Sequence, residues 1–577
     1  MDRPPSATRL ASWGLFLAMS MGFAACGGYE AAFDNEAPSR KCIPGASVAC
    51  ACPSGKTGAQ LCLQSGQGYG PCECADGGEG GDGDASIGDA GDDDLLDAGD
   101  DASDPSDGGD AGGDGDAGDV DPTHGPLASN LAITDVIAYQ AVGIALMRDD
   151  AEVTQRNAPI IAGKDTLIRV LVAPTPGWQA RLVVGRLELH DSNGPVAAYE
   201  SKVVVMAASK EETLSSSFNF EIPGSLVTSD VSFNVSIHEA NDKTHPGDAT
   251  KSKWPSSGTS HLRAQSANGN LKITIVPYRY NGLVPDTSEE HLQVFRDKFT
   301  AYPTPGVEIT VHPVVNHSGT FTSGGSGWNQ LLNKTCNLRL SEGADRNEFY
   351  YGIIVPTSSV YDFCGQGCVA GLAPLAQQAT DNTVRCGIGL GFKAGDLAAE
   401  TALHEIGHAL GREHAPCGLD GQRSDRSYPY TNAGLGVWGW EAPKRALRHP
   451  SNVKDMMSYC SPIWISDYTY KALFDRISYV NASPLVKLPE SFPERWRSIV
   501  IEADGSVVWG ETMKLDSMPS GTETAVYLLD ASGNRMGEAK GYFYEMDHLP
   551  GGWVVVPEEK LAGAKAVRIE GKPTLPL

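Results

Sequence analysis

His404-Glu405-Ile406-Gly407-His408-Ala409-Leu410-Gly411-Arg412-Glu413-His414 is the stretch from which the rest of the chain is read. On a helix, His404 and His408 stand one turn apart, so both imidazoles leave the same face and can grip one metal ion. Gly411, lacking a Cβ, suits the left-handed turn that would end the helix and bring His414 back as a third ligand. Three neutral imidazoles with a fourth position open describe a catalytic zinc site, because structural zinc is usually closed by four protein ligands. Glu405, beside the first ligand, is the expected base, taking a proton from water as it attacks a carbonyl carbon. One catalytic Zn²⁺ is therefore the expected cofactor.

With its glycine and third histidine the pattern resembles the signature of the metzincin zinc peptidases, HExxHxxGxxH followed by a methionine turn. Asp455-Met456-Met457-Ser458-Tyr459 lies downstream, and its Met-Ser-Tyr ending resembles that turn. The resemblance implies that Met457 forms an apolar floor under the imidazoles and that Tyr459 binds zinc or stabilises an oxyanion. Ala415, directly after the third histidine, departs from the residue that marks several metzincin branches. Cys417 follows His414 closely and Cys460 follows Tyr459, so both backbones should pass near the metal; a Cys417–Cys460 disulfide is expected. A narrower resemblance, over about residues 270 to 480, is to secreted bacterial metalloproteases of the mucin-cleaving type. It rests on Tyr428-Pro-Tyr, on Val437-Trp-Gly-Trp440 and on Met457-Ser-Tyr-Cys460 running into Trp464. It implies a protein substrate outside the cell, a class that includes glycoproteins.

At the N-terminus, Arg3 and Arg9 precede an apolar run from Leu10 to Phe23, too short for a membrane span, and then Ala24-Ala25-Cys26. Residues 1–25 thus read as a secretory signal, and the small residues before Cys26 resemble the bacterial lipoprotein box. Lipidation at Cys26 would anchor the chain on the bacterial cell envelope without spanning it; simple secretion is the alternative. Of the thirteen cysteines, setting Cys26 aside leaves six between Cys42 and Cys74 and six between Cys336 and Cys460, even sets suited to disulfides in an exported protein. After a lipidated segment at 26–41, residues 42–74 are too few for a hydrophobic core and read as a small disulfide-stapled module, with a zinc knuckle as the alternative. Residues 75–126 form an Asp/Gly-rich linker. Its eighteen acidic residues, unrelieved by Lys or Arg, carry two thirds of the net charge of -27 and keep it extended. The acidity therefore says little about the substrate, and with no basic stripe the chain is not expected to bind nucleic acid.

Residues 127–269 alternate in the manner of strands, as at Phe218, Phe220 and Ile222, and suggest an immunoglobulin-like sandwich acting as a spacer. The peptidase domain is expected at 270–484. Leu271 to Tyr280 reads as a strand, Thr287 and Glu290 as a capping box for a helix, and Asp396 as the cap of the histidine helix. Cys386-Gly-Ile-Gly-Leu-Gly391 is expected to be the edge strand on which extended substrate pairs, as the metzincin resemblance implies. Residues 485–577 are again β and suggest a second small sandwich of unreadable function. The expected fold class is thus multidomain α+β, a metzincin domain of mixed sheet and helices between all-β sandwiches. The expected activity is that of an exported, membrane-anchored zinc endopeptidase. A surface adhesin with an inert metal site is the rival.

Overall fold

The computed structural model describes residues 47–51, 57–61 and 125–577, apart from 242, 366, 419–423 and 483–487. The chain divides into one unit spanning Ala31–Asp121 and another holding Pro122–Leu577. In the first, Ser47–Ala51 pairs antiparallel with Thr57–Leu61. The signal segment, Cys26, the cysteines at 42, 52, 62, 72 and 74 and the acidic linker up to residue 124 lie outside the described residues. The larger unit is a mixed α+β, mostly β, multi-sheet fold with few helices. No described helix is long and apolar enough to cross a membrane.

Two antiparallel sheets open the larger unit. The first orders β2 (Gly143–Arg148), β1 (Leu131–Tyr139), β3 (Thr166–Pro174) and β6 (Phe218–Ile222); the second orders β7 (Ser232–Glu239), β4 (Arg181–Asp191) and β5 (Gly194–Val205). Ile168, Val170, Phe218 and Phe220 from one and Val183, Leu187, Phe233 and Val235 from the other fill a shared core. That core does not stop at residue 269. It runs on through Leu271, Phe295, Leu403, Ile406, Met457 and Trp464. Lys164, buried, donates to the carbonyls of Thr300 (2.9 Å), Tyr302 (3.0 Å) and Thr304 (3.3 Å), while Trp464 Nε1 donates to Ala141 O (2.8 Å). Trp440 packs on Tyr139 and Leu167, so it belongs to this seam.

The central sheet orders β9 (Val307–Val311), β8 (Leu271–Arg279), β10 (Glu348–Ile354), β12 (Cys386–Leu390) and β11 (Gly371–Leu372); β8 to β12 are parallel neighbours and β11 runs antiparallel to β12. The stretch expected at the sheet edge, Cys386–Leu390, is therefore an inner strand, and the two-residue β11 is the edge. The antiparallel return of β11 was invisible in sequence because Gly371-Leu372 is too short to show alternation. Helices α1 (Glu289–Phe299) and α3 (Leu397–Ala409) pack on one side; α2 (Trp328–Ser341) is fixed to β12 by a Cys336–Cys386 disulfide. Further bridges are Cys364–Cys368 and Cys417–Cys460. Helix α4 (Asp467–Asn481) starts at Ser466, whose side chain accepts from Thr469 N–H.

Neither expected cap forms. Helix α1 begins after Ser288, with no side-chain cap, and Glu290 instead pairs with Lys393 at 2.6 Å. Asp396 makes no cap bond; its carboxylate sits 2.7 Å from Lys298 and 3.1 Å from Lys444. In both cases a nearby cation outbids a neutral N–H for the carboxylate, a charge-assisted bond being the stronger.

The C-terminal region is one seven-stranded sheet and not the second two-sheet sandwich expected from its sequence. Its order is β14 (Val507–Met513), β13 (Trp496–Ile501), β17 (Gly552–Pro557), β16 (Arg535–Glu545), β15 (Thr522–Leu529), β18 (Ala566–Ile569) and β19 (Leu575–Pro576). The sheet curls until its ends meet, Trp509 Nε1 donating to Pro576 O at 2.7 Å. Side chains alternate between two apolar environments along β13 and β17. Ile499, Ile501, Val554 and Val556 line the inside of the curl, while Trp496, Val500, Trp553 and Val555 join Trp328, Leu331, Leu332 and Ile388 of the central domain. The flanking strands keep exposed residues, as sandwich strands do, and whether successive strands pair into one sheet or two is decided by pairing between distant segments that no local pattern reveals.

Candidate metal centre

Helix α3 is buried over most of its length, which explains its run of Ala398, Ala399, Ala402, Leu403 and Ile406. Its second half carries His404, Glu405 and His408 into the interior between the sheet and the segment around Met457. Gly411 takes φ +82°, and the turn closes with Gly411 N–H on His408 O (2.8 Å) and Arg412 N–H on Gly407 O (2.9 Å). The chain then doubles back, so that His414 arrives opposite the helix.

Three ring nitrogens converge. His408 Nε2 is 3.0 Å from His404 Nε2 and 3.1 Å from His414 Nε2. On His404 the other nitrogen, Nδ1, bonds Met456 O at 2.7 Å; on His408 it bonds Arg412 O at 2.6 Å. A carbonyl accepts only, so each Nδ1 must carry the proton and each Nε2 is left as a bare lone pair. Burial, and after it the neighbouring imidazoles, hold His404 and His414 well below the ordinary histidine value. Burial likewise takes His408 down to about 4, against the pull of Asp547. Lone pairs crowded at about 3 Å with no proton to share are what a cation relieves, and the oriented Nδ1–H bonds are what metal-ligating histidines use to fix their rings.

Met457 sits under the helix at Gly407, where an added Cβ would come within 2.4 Å of the methionine sulfur. Asp455 holds that turn: its carboxylate accepts from Met457 N–H (2.8 Å) and Ser466 N–H (2.9 Å). The turn is laced to the third histidine's segment by Ala415 N–H to Met457 O (2.9 Å), by Tyr459 N–H to Cys417 O (3.2 Å) and by the Cys417–Cys460 bridge. The rings of Tyr459 and His414 meet edge to face at 4.9 Å.

Sequence reasoning missed two residues. Asp547 and His548 join the three histidines as a group whose potential ligand atoms lie within 4.8 Å of one another. Both come from the loop between β16 and β17, in the region whose function was unreadable from sequence. His548 Nε2 lies 3.0 Å from Glu405 Oε1, and its Nδ1 shares a hydrogen bond with the Tyr459 hydroxyl. Asp547 Oδ2 lies 3.3 Å from His408 Nε2. The other carboxylate oxygen, Glu405 Oε2, is buried without a hydrogen-bond partner. Burial first, then the Asp547 carboxylate, push Glu405 up to about 8. Burial would do the same to Asp547, but the imidazoles of His548 and His408 outweigh it and hold that carboxyl well below its usual range. An Asp-His pair in a hairpin loop carries no local periodicity, and only its place in space marks it.

Asp547 Oδ2, which also lacks a hydrogen-bond partner, faces the bare His408 Nε2, an arrangement that fits a divalent cation. A donor set of imidazole nitrogen and carboxylate oxygen is one that several first-row divalent metals share.

A model of the Peptidase M66 family, a metallopeptidase family, matches residues 378–462. The matched stretch holds all three converging histidines, Glu405, Met457 and Tyr459, and ends well before Asp547. No curated protein matches the chain. The match supports a metallopeptidase, hence a protein substrate, and the cluster supplies a place that could hold its metal ion.

Proposed function

We propose that the chain is an exported zinc endopeptidase, anchored on the cell envelope through a lipid at Cys26 and cutting extracellular proteins, glycoproteins among them. The observation that carries the enzymatic part is the convergence of His404 Nε2 and His414 Nε2 on His408 Nε2, at 3.0 and 3.1 Å, beside a buried carboxylate. His404, His408 and His414 would hold the ion. When bound, such an ion acts as a Lewis acid toward a carbonyl oxygen and acidifies water. Glu405, one residue from the first ligand, takes the proton of the attacking water and returns it to the leaving amine nitrogen. Met457 keeps the imidazole floor dry and fixed. The Tyr459 hydroxyl, pushed up to about 12 chiefly by burial, stays protonated and donates to the oxyanion.

The support for export is chemical: the six cysteines from Cys336 to Cys460 form three disulfides, which persist in oxidising surroundings. The test of the mechanism is Glu405→Gln. Its zinc content, read by elemental analysis, should equal that of wild type, while casein or mucin cleavage should fall by roughly 10²- to 10⁴-fold, the usual worth of a general base. Comparable cleavage by the variant would refute the assignment.

A further inference from the structure

The loop that brings Asp547 to the centre is short and firmly held. Strands β16 and β17 pair as far as Glu545 and Gly552, leaving Met546–Gly551 as the hairpin loop. Met546 and Leu549 are buried in the core shared with the central domain. The loop lies along the outer edge of the central sheet: Met546 bridges Pro374 in antiparallel fashion, Asp547 N–H donates to Ala373 O (3.4 Å), and Ala373 N–H donates to Asp547 Oδ1 (3.0 Å). Main-chain groups just past β11, where an extended peptide would add as a further strand, are therefore occupied by the protein's own chain.

The two side chains of the loop have different tasks. Both nitrogens of His548 are engaged, with Glu405 and with Tyr459. Asp547 spends Oδ1 on Ala373, while Oδ2, its side chain 1% exposed, lies 2.7 Å from His548 Nε2 and 3.3 Å from His408 Nε2 without a hydrogen bond of good geometry to either. A tetrahedral zinc site with bonds of about 2.0–2.1 Å has ligand atoms roughly 3.3 Å apart. The spacings of 3.0, 3.1 and 3.3 Å around His408 Nε2 are close to that edge length. The centre is also shut off from solvent, with His404 and His414 each 3% exposed and Glu405 1%.

We propose that Asp547 is the fourth protein ligand of the metal and that the loop Met546–Gly551 holds the centre in a closed, latent state. Building on the metallopeptidase reading, this gives the ion three imidazoles and one carboxylate with no open position, the arrangement of a resting site and not a working one. A peptide reaches the ion only after the loop leaves, which frees the fourth position and the edge at Ala373 together.

Co(II) and Zn(II) titration of the full chain, followed by visible absorption and calorimetry, tests this with Asp547→Ala and with Asp547→Asn, whose amide oxygen can still accept from Ala373. Both variants should bind Co(II) roughly 10- to 100-fold more weakly, the scale of a perturbed metal shell, with a changed d–d spectrum, and should cleave casein several-fold faster than wild type. Unchanged affinity and spectrum in both variants overturn the ligand assignment. Weaker affinity together with slower cleavage overturns the latent state. Failure of the wild-type chain to take up either metal would instead remove the metallopeptidase reading on which the proposal stands.

Discussion

The two β regions on either side of the histidine helix are tied to the central domain by different means. The N-terminal pair of sheets meets it through a seam of Trp440, Trp464 and the buried Lys164, each satisfied by main-chain or apolar partners, and contributes none of the five converging side chains. The C-terminal sheet packs Trp496, Trp553 and Val555 on helix α2, then extends its β16–β17 loop to the three converging histidines. One buttresses the helix from behind; the other closes it from the front. A flanking module is therefore not a spacer by virtue of being β, and what it does depends on which loop points inward.

Matched substitutions break or sharpen that contrast. Trp553→Ala and Trp440→Ala each remove a large buried ring and should each cost about 3–5 kcal/mol in chemical denaturation. Only Trp553→Ala should also weaken zinc binding, because it loosens the sheet that carries Asp547. Equal losses of zinc affinity in the two variants would erase the distinction.

Lys164 provides a pH-dependent probe of the N-terminal seam. Burial lowers its ammonium from the ordinary 10.5 to about 8. Between those values the folded chain binds fewer protons than the unfolded one, so stability rises with pH through that window; below pH 8 both states hold the proton and the effect is flat. Against Lys164→Met, the wild-type chain should gain up to roughly 3 kcal/mol between pH 8 and 10.5, at about 1.4 kcal/mol per unit. A pH-independent difference would mean that the amine is hydrated in solution.

The smallest expected effect is at the front of the site. Tyr459→Phe removes one donor to the oxyanion and should lower kcat by about 10²-fold while leaving KM and zinc content near wild type. A change in KM alone would make Tyr459 a substrate contact.

Local sequence went far at the centre and failed at its borders. The spacing of His404, His408 and His414 and the glycine at 411 were legible because a helix and a tight turn place residues a few positions apart in fixed geometry, whereas Met457 was expected only through a family resemblance. The strand at Leu271 was legible in the same local way. The cap at Asp396 was misread because its competitor, Lys298, stands almost a hundred positions away. Likewise the edge of the central sheet is a two-residue strand that only its pairing defines.

The eleven residues from His404 to His414 by themselves determined that three imidazoles and a carboxylate could share one side of a helix and its following turn, because helical periodicity is a local property of the backbone. The tertiary structure alone decided that a carboxylate 133 positions beyond His414 faces those imidazoles and that the chain just past β11 is covered by the loop at Met546. Such contacts depend on where a curled sheet docks, and docking is set by the summed fit of two apolar faces, which no short stretch of sequence contains.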